Sequence, residues 1–308
     1  MDRLINAFVL GAGLGTRLRP LTENTPKPLI PICQKPLITF AFDRLNDAGI
    51  TRLAVNTHHS PEAYSLEFPE ASYRGMPIHF RHEEVLLETA GGIKNVEDIL
   101  RGTPFVVYNG DILSDLPVKQ AIRHHFSQGN EVTLVLRSAG GPLQVAFDER
   151  AGRVLDIGGH LGGKAGEYLF TGIYVVDPAF FSRIPPRTKI SVIPIFLEMI
   201  RGGGKLGGIL LDEGEWWDLG TRRQYLAVHR RLAAAGKAGW VHPTAQIGSG
   251  VKIEGATVIG AGAEVGGGAT LKDCILWKGA KIASGSLLER CIVTSGKEAH
   301  GVHTDADF

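Results

Sequence analysis

LGAGLGTRLRPLTENTPKPL, Leu10–Leu29, follows the apolar run NAFV. It places Gly11, Gly13 and Gly15 directly after a buried-strand pattern, Arg17 inside the glycine turn, and Lys27 between Pro26 and Pro28. A glycine turn at a strand end lets backbone N–H groups form a concave nest for anions. Two nucleotide patterns fail here. The dinucleotide fingerprint fits Gly11 and Gly13 but meets Thr16 where its third glycine belongs, and the Gly-Lys-Ser/Thr of a Walker loop is missing. The charges in and after the turn suit a polyphosphate instead. The planar fork of Arg17 grips phosphate oxygens, and Lys27 supplies a point charge on a backbone stiffened by its flanking prolines.

The alternation continues outward from that stretch. Residues 36–48 carry apolar positions at helical spacing, ITRLAVNTH reads as the next strand, FVVYNGD as another ending in Asn109-Gly110-Asp111, and VTLVLR and YLFTGIYVVD as two more. Strand, helix and strand in this rhythm predict an α/β fold with a mainly parallel sheet and crossover helices, whose ligands bind beyond the carboxyl ends of the strands. Gly11–Arg17 and Asn109–Asp111 both occupy such ends. Residues 222–236 read as a last helix stopped by Gly236.

After Trp240 the period changes to six: Val241, Ile247, Ile253, Ile259, Val265, Leu271 and Trp277, with a slip after Trp277 and resumption at Ile282 and Leu288. That period is the signature of a parallel β-helix, about three to four coils at about 18 residues each. The predicted domains are 1–236 and 237–308.

Composition bounds the function. With 308 residues the chain has room for one large or two ordinary domains. Lys plus Arg number 33 and Asp plus Glu 32, with no polybasic block, which gives no support for nucleic acid or an anionic membrane as partner. No stretch approaches the 18 apolar residues of a span, and a cytoplasmic location is the expectation. Cys33, Cys274 and Cys291 have no metal-type spacing and read as reduced, partly buried thiols. The pairs His58-His59 and His124-His125 lack a third ligand at recognisable spacing.

GAGLGTRLRPLTENTPKPL resembles the signature of sugar-1-phosphate nucleotidylyltransferases. The resemblance extends, in the family's order, through LLETAGGIKNV (86–96, like the nucleobase loop), VVYNGD (106–111, like the strand ending in a metal-binding aspartate), LFTGIYVVDP (like the sugar-contacting segment) and WWDLGT (216–221, like the segment with the second metal-binding aspartate). The C-terminal repeats resemble those of the mannose-1-phosphate guanylyltransferase branch, and the LETAGGI loop is similar to the N-acetylmuramate-1-phosphate uridylyltransferase branch. The resemblance implies a Rossmann-like nucleotidyltransferase domain followed by a short left-handed parallel β-helix. It implies the reaction of an NTP with a sugar-1-phosphate, giving an NDP-sugar and pyrophosphate, with GTP/mannose-1-phosphate or UTP and an N-acetylated sugar phosphate as the leading pairs.

The same resemblance implies roles. Arg17 and Lys27 hold the β- and γ-phosphates, and Asp111 and Asp218 bind Mg²⁺, a cation that prefers oxygen ligands. Gly11, Ala12, Gly13, Gly15 and Thr16 form the phosphate turn, with Asn109 and Gly110 beside the metal aspartate. Gly91, Gly92 and Glu83 meet the base, Glu83 by accepting from its N–H edge. Glu167 and Gly172 contact sugar hydroxyls, and Lys189 the sugar phosphate. The family's Glu-Lys-Pro lysine is missing: the region reads DIGGHLGGKAGEYLF, where His160, Lys164 or Lys189 could substitute, and its many glycines read as a mobile loop. Two other functions compete: a regulatory subunit that binds nucleotide-sugar without turnover, and an acyltransferase of the hexapeptide-repeat kind. The retained Arg17, Lys27, Asp111 and Asp218 favour catalysis, and the short tail is expected to mediate homo-oligomer formation or to brace the catalytic domain.

Overall fold

The computed structural model describes residues 6–163, 166–236 and 240–308. It divides into two compact units, residues up to Leu14 with Ile38–Asp218, and Gly15–Leu37 with Leu219–Phe308.

The first unit is built on a ten-stranded sheet. Its order is Val145–Asp148, Arg153–Ile157, Leu206–Leu210, Val132–Arg137, Leu169–Val176, Phe105–Asn109, Asn6–Leu10, Leu53–Thr57, Met76–His82, Ser72–Tyr73. Asn6–Leu10 lies parallel to both Leu53–Thr57 and Phe105–Asn109, and Leu53–Thr57 parallel to Met76–His82. These central strands are continuous apolar runs because helices cover both faces; all five residues of Leu53–Thr57 are buried. Helix Ile38–Asp47 buries Ile38, Ala41, Phe42 and Leu45, and helix Val118–Gln128 buries Val118, Ala121, Ile122 and His125. Both sets follow i, i+3, i+4, i+7, one stripe of a 3.6-residue period. Phe8, Val107, Leu134, Tyr174 and Phe196 lie in the main core. The sheet is Rossmann-like and mainly parallel, with two internal exceptions. Arg153–Ile157 runs antiparallel to both its neighbours. Leu169–Val176 runs antiparallel to both its neighbours, with an irregular register between Phe170 and Tyr174.

In the second unit, helix Arg222–Ala234 starts at Thr221, whose hydroxyl accepts from the Gln224 N–H, and the chain turns at Gly236 with φ 64°. Beyond it three parallel sheets form the faces of a coil stack, each taking one strand from each successive coil: Gln246–Ile247, Glu264–Val265, Lys281–Ile282, Glu298–Ala299; Lys252–Glu254, Thr270–Lys272, Leu287–Glu289, Val302–Thr304; and Val258–Ile259, Ile275–Leu276, Ile292–Val293. Ile247 pairs with Val265 and Ile253 with Leu271, as the period requires, but Ile259 pairs with Leu276, not Trp277. The slip therefore falls before Trp277, not after it. The corner at Asp273 (φ 53°) is one residue short, and the Asp273 carboxylate accepts from the Ala256 N–H at 2.9 Å. Leu276 takes the stacking position with Ile259, Val265, Leu271, Ile282 and Leu288, and Trp277 is displaced from the repeat. Cys274 and Cys291 are free, buried thiols in this stack, and Cys274 Sγ donates to Leu288 O.

Candidate active site

Three parallel strand ends lie side by side. Leu10 is in register with Asn56 on one side and Asn109 on the other, and the Gly110 N–H donates to Leu10 O at 3.0 Å. The glycine turn and the Asn109–Asp111 turn thus leave the sheet as neighbours, at the edge where open α/β sheets bind ligands.

The glycines divide by what a side chain would meet. A Cβ on Gly11 would lie 2.6 Å from Asn56 O, so this glycine serves packing. Its N–H donates to Asn56 Oδ1 at 2.8 Å, and its carbonyl accepts from Tyr64 Oη at 2.8 Å. Ala12 is buried behind the turn, whereas Gly13 is exposed and a Cβ there would meet nothing within 4 Å. Of the two glycines that the first unit contributes to the turn, Gly13 is the one that presents open backbone.

Asn56 ties the turn to a third segment. Its Nδ2 donates to Glu83 Oε1 at 2.8 Å, and Glu83 Oε2 accepts from the Leu87 N–H at 3.0 Å. Glu83, expected against a nucleobase, is only 2 % exposed and has both carboxylate oxygens engaged by the protein. Gly91 and Gly92 lie buried in helix Glu88–Asn95. A Cβ on Gly91 would lie 2.5 Å from Thr188 O, and one on Gly92 would press on Asn56 and Glu83 at 3.0 and 3.1 Å. Neither Asn56 nor Tyr64 stands out in the sequence; the one signal there is an asparagine closing the apolar run LAVN.

Asp111 and Asp218 are brought together by a two-stranded ladder. Trp216–Asp218 runs antiparallel to Ile112–Ser114, with Asp218 opposite Ile112. Both aspartates are half-buried. The turn leading to Asp218 is gathered by Arg137, whose guanidinium donates to the carbonyls of Leu211, Asp212, Glu213 and Gly214 at 3.3–3.4 Å. Trp216 Nε1 donates to Thr171 O at 2.9 Å, so Trp216 links this strand to the sugar-type segment. Among the described residues no group of three or more His, Cys, Asp or Glu gathers as a metal site. Two carboxylates at a strand end suit a hard cation that takes its other oxygens from phosphates and water.

Gly172 (φ 76°) sits over Asn109: a Cβ there would lie 2.5 Å from Asn109 Nδ2. Lys189 is exposed, on a segment strapped to the first turn of helix Glu88–Asn95, where Ala90 and Gly91 N–H donate to Ile190 O and the Ile190 N–H donates to Leu87 O. Glu167 and His160 are exposed, and Lys164 lies outside the described residues. The buried carboxylate of Asp156, which the sequence did not flag, accepts from the Leu161 and Gly163 N–H groups and organises the turn that carries His160. His58 Nδ1 donates to Glu83 O, and His125 is buried against Thr133, so one histidine of each pair serves the fold.

In the second unit, Gly15 has φ 61° and a Cβ there would lie 2.9 Å from Lys27 Cβ; Thr22 Oγ1 donates to Gly15 O at 2.8 Å. Lys27 is buried at the start of a short 3-10 turn, whereas Thr16 and Arg17 are exposed. The Arg17 guanidinium lies on Gly220, where a Cβ would be 2.8 Å from it. Burial pushes the Cys33 thiol up to about 12, which removes it as a reactive thiolate near neutral pH.

The nucleotidyl transferase family model matches residues 6–235. The chain belongs to the nucleotidyl transferase family. A second model, the GMPPB C-terminal domain, matches residues 237–302. Among curated relatives, a mannose-1-phosphate guanylyltransferase of Mycobacterium tuberculosis is 33% identical over 288 residues, 89% of this chain and 80% of that protein. The mannose-1-phosphate guanylyltransferase catalytic subunit beta of Dictyostelium discoideum is 31% identical over 72% of this chain and 63% of its own length. Among solved structures, a Bacillus anthracis protein described provisionally as a glucose-1-phosphate thymidylyltransferase superposes with a TM-score of 0.65 at 22% identity. The match covers 77% of this chain and 98% of that one, and the two share the nucleotidyl transferase fold. No described helix of this family member is long and apolar enough to cross a membrane.

Proposed function

We propose that the protein transfers a guanylyl group from GTP to mannose 1-phosphate, releasing pyrophosphate and forming GDP-mannose. The observation that carries the reading is the meeting of the Gly11–Leu14 turn and the Asn109–Asp111 turn on adjacent strand ends, with Asp218 set beside Asp111 by its ladder to Ile112. The choice of guanine and mannose draws on the relatives, mannose-1-phosphate guanylyltransferases at about 30% identity, and on the C-terminal match.

In this reaction a phosphate oxygen of the sugar phosphate attacks the α-phosphorus in line. The bond from that phosphorus to the bridging oxygen breaks, and its electron pair leaves with pyrophosphate. The nucleophile is already anionic, so no strong general base is required. Positioning two anions and stabilising the leaving charge carry the catalysis. The family resemblance assigns the β- and γ-phosphates to Arg17 and Lys27, and the role of phosphate turn to the backbone of Ala12, Gly13 and Thr16. Asp111 and Asp218 would hold a divalent cation, Mg²⁺ by its oxygen preference. When bound, it supplies positive charge against the triphosphate. Asn109, Gly110, Gly172 and Glu167 face the sugar, and Lys189 its phosphate. The base lies by the Leu87–Gly92 start of helix Glu88–Asn95, and Glu83 acts there as a positioning residue through Asn56 and Leu87.

Substrate competition tests the pairing. With GTP, UTP and a panel of sugar-1-phosphates present together, GDP-mannose is the expected product, with kcat/KM for GTP exceeding that for UTP. A UDP-linked N-acetylated sugar as main product would overturn the guanine assignment and leave the reaction class standing.

A further inference from the structure

Four residues after Lys27 the chain makes a two-residue hairpin, in which Pro31 pairs with Pro36 and Ile32 with Lys35. Its two turn residues, Cys33 and Gln34, have φ of 46° and 75°. A turn with both central residues left-handed is the province of Asn-Gly and Gly-Gly; side chains such as Cys and Gln resist it. Such a turn persists where surrounding groups over-determine it, and here they do. The Cys33 N–H donates to His229 Nε2 at 3.2 Å. His229 Nδ1 lies 2.7 Å from Tyr225 O, which only accepts, so Nδ1 carries the proton and Nε2 is free to receive Cys33. Tyr225 Oη donates to Pro31 O at 2.6 Å and accepts from Trp277 Nε1 at 3.0 Å. Tyr225, His229 and Trp277 are all at least 97 % buried.

Trp277 is the residue that the repeat displaces from its stacking position. The irregularity thus has a use: it presents an indole N–H to Tyr225. From Tyr225 the contacts run through Pro31 to Ile30, whose N–H donates to Lys27 O, and on to Gly15 packed on Lys27. We propose that the β-helix, through Trp277 and the Tyr225 and His229 side chains of helix Arg222–Ala234, is a positioning element that holds the strained Cys33-Gln34 hairpin and with it the Arg17–Lys27 loop in the nucleotide-binding conformation. The inference rests on the reading of that loop as the triphosphate site. Trp277, Tyr225 and His229 touch no substrate; they are positioning residues, and the coil stack is a structural part of the catalytic apparatus.

The test uses the full chain in four forms: wild type, Tyr225→Phe, the turn variant Cys33→Asn/Gln34→Gly, and their combination. Tyr225→Phe removes the donor to Pro31 and the acceptor for Trp277. It is expected to raise the NTP KM roughly tenfold, the equivalent of about one buried hydrogen bond, and to raise amide exchange at residues 32–37. The Asn-Gly turn adopts the hairpin without outside support, so it is expected to leave the wild-type KM unchanged and to restore both KM and protection in the Tyr225→Phe background. A structural loss spread over the molecule would not be rescued by a turn. An unchanged KM in Tyr225→Phe, or a rise that the Asn-Gly turn fails to reverse, overturns the proposal. Absence of NTP binding by the wild type instead overturns the reading of the loop, and the proposal with it.

Discussion

Asp218 lies opposite Ile112 in an antiparallel ladder, one residue from Asp111. Two carboxylates far apart in the chain therefore share one end of the sheet. If they hold the cation, Asp111→Asn and Asp218→Asn each remove charge stabilisation worth several kcal/mol. Turnover should then fall by roughly two orders of magnitude or more. Both side chains are half-buried, so the melting temperature should stay close to wild type. Steady-state rates alongside thermal melts check this, and near-normal turnover in either variant rejects the metal assignment.

Gly11 and Gly13 should respond in opposite ways to the same change. A Cβ on Gly11 would lie 2.6 Å from Asn56 O and 3.0 Å from Tyr64 Oη, and on Gly13 it would meet nothing. Gly11→Ala is expected to cost about 1–3 kcal/mol by overpacking. Gly13→Ala should leave stability within about 0.5 kcal/mol and raise the KM for NTP. Denaturant unfolding and nucleotide titration separate the two. A stable Gly11→Ala, or a Gly13→Ala with unchanged KM, would contradict this division of labour within the turn.

Asn56 joins Gly11 to Glu83 by two hydrogen bonds of 2.8 Å. Asn56→Leu keeps the volume but leaves a buried N–H and a buried carboxylate oxygen without these partners. The expected cost is on the order of 3 kcal/mol. The glycine turn and the Leu87 loop should loosen together, visible as increased amide exchange at Gly11 and Leu87. Exchange rising at one alone would show that the bridge does not couple them.

The fold is expected to be acid-sensitive. Burial lowers the pKa of both His125 and His229 to about 4, against about 6.5 when unfolded. The unfolded chain then binds more protons between these values, so stability is complete above pH 6.5 and is lost as pH falls toward 4. Each histidine contributes roughly 3 kcal/mol at neutral pH, since a tenfold change in proton affinity is worth about 1.4 kcal/mol. Urea melts across pH 4 to 7 should show this slope, and His229→Gln should flatten part of it. A stability independent of pH over that range would refute burial as the cause.

Much of the architecture was legible in the sequence because it was periodic or local. The apolar runs gave the sheet, the i, i+3, i+4 stripes gave helices such as Ile38–Asp47, and the six-residue spacing gave the coils. The features that escaped depend on register between distant segments. Nothing near Asn56 in the chain announces that it meets Gly11 and Glu83, and nothing near Gly91 or Gly92 announces that packing excludes a side chain there. The direction of Leu169–Val176 was hidden for a related reason, since an apolar run reads the same parallel or antiparallel. Trp277 misled the period because an apolar residue one place past its slot looks in register until the short corner at Asp273 is seen.

Nucleotidyl transfer at the paired strand ends is best tested by pyrophosphate release from the full chain with Mg²⁺, GTP and mannose 1-phosphate. The controls are Asp111→Asn and wild type lacking the sugar phosphate. Release by the wild type should require the sugar phosphate and should nearly vanish in the variant. Nucleotide binding without release for any pairing of NTP and sugar-1-phosphate would contradict the transfer reaction and leave a binding protein built on the same fold.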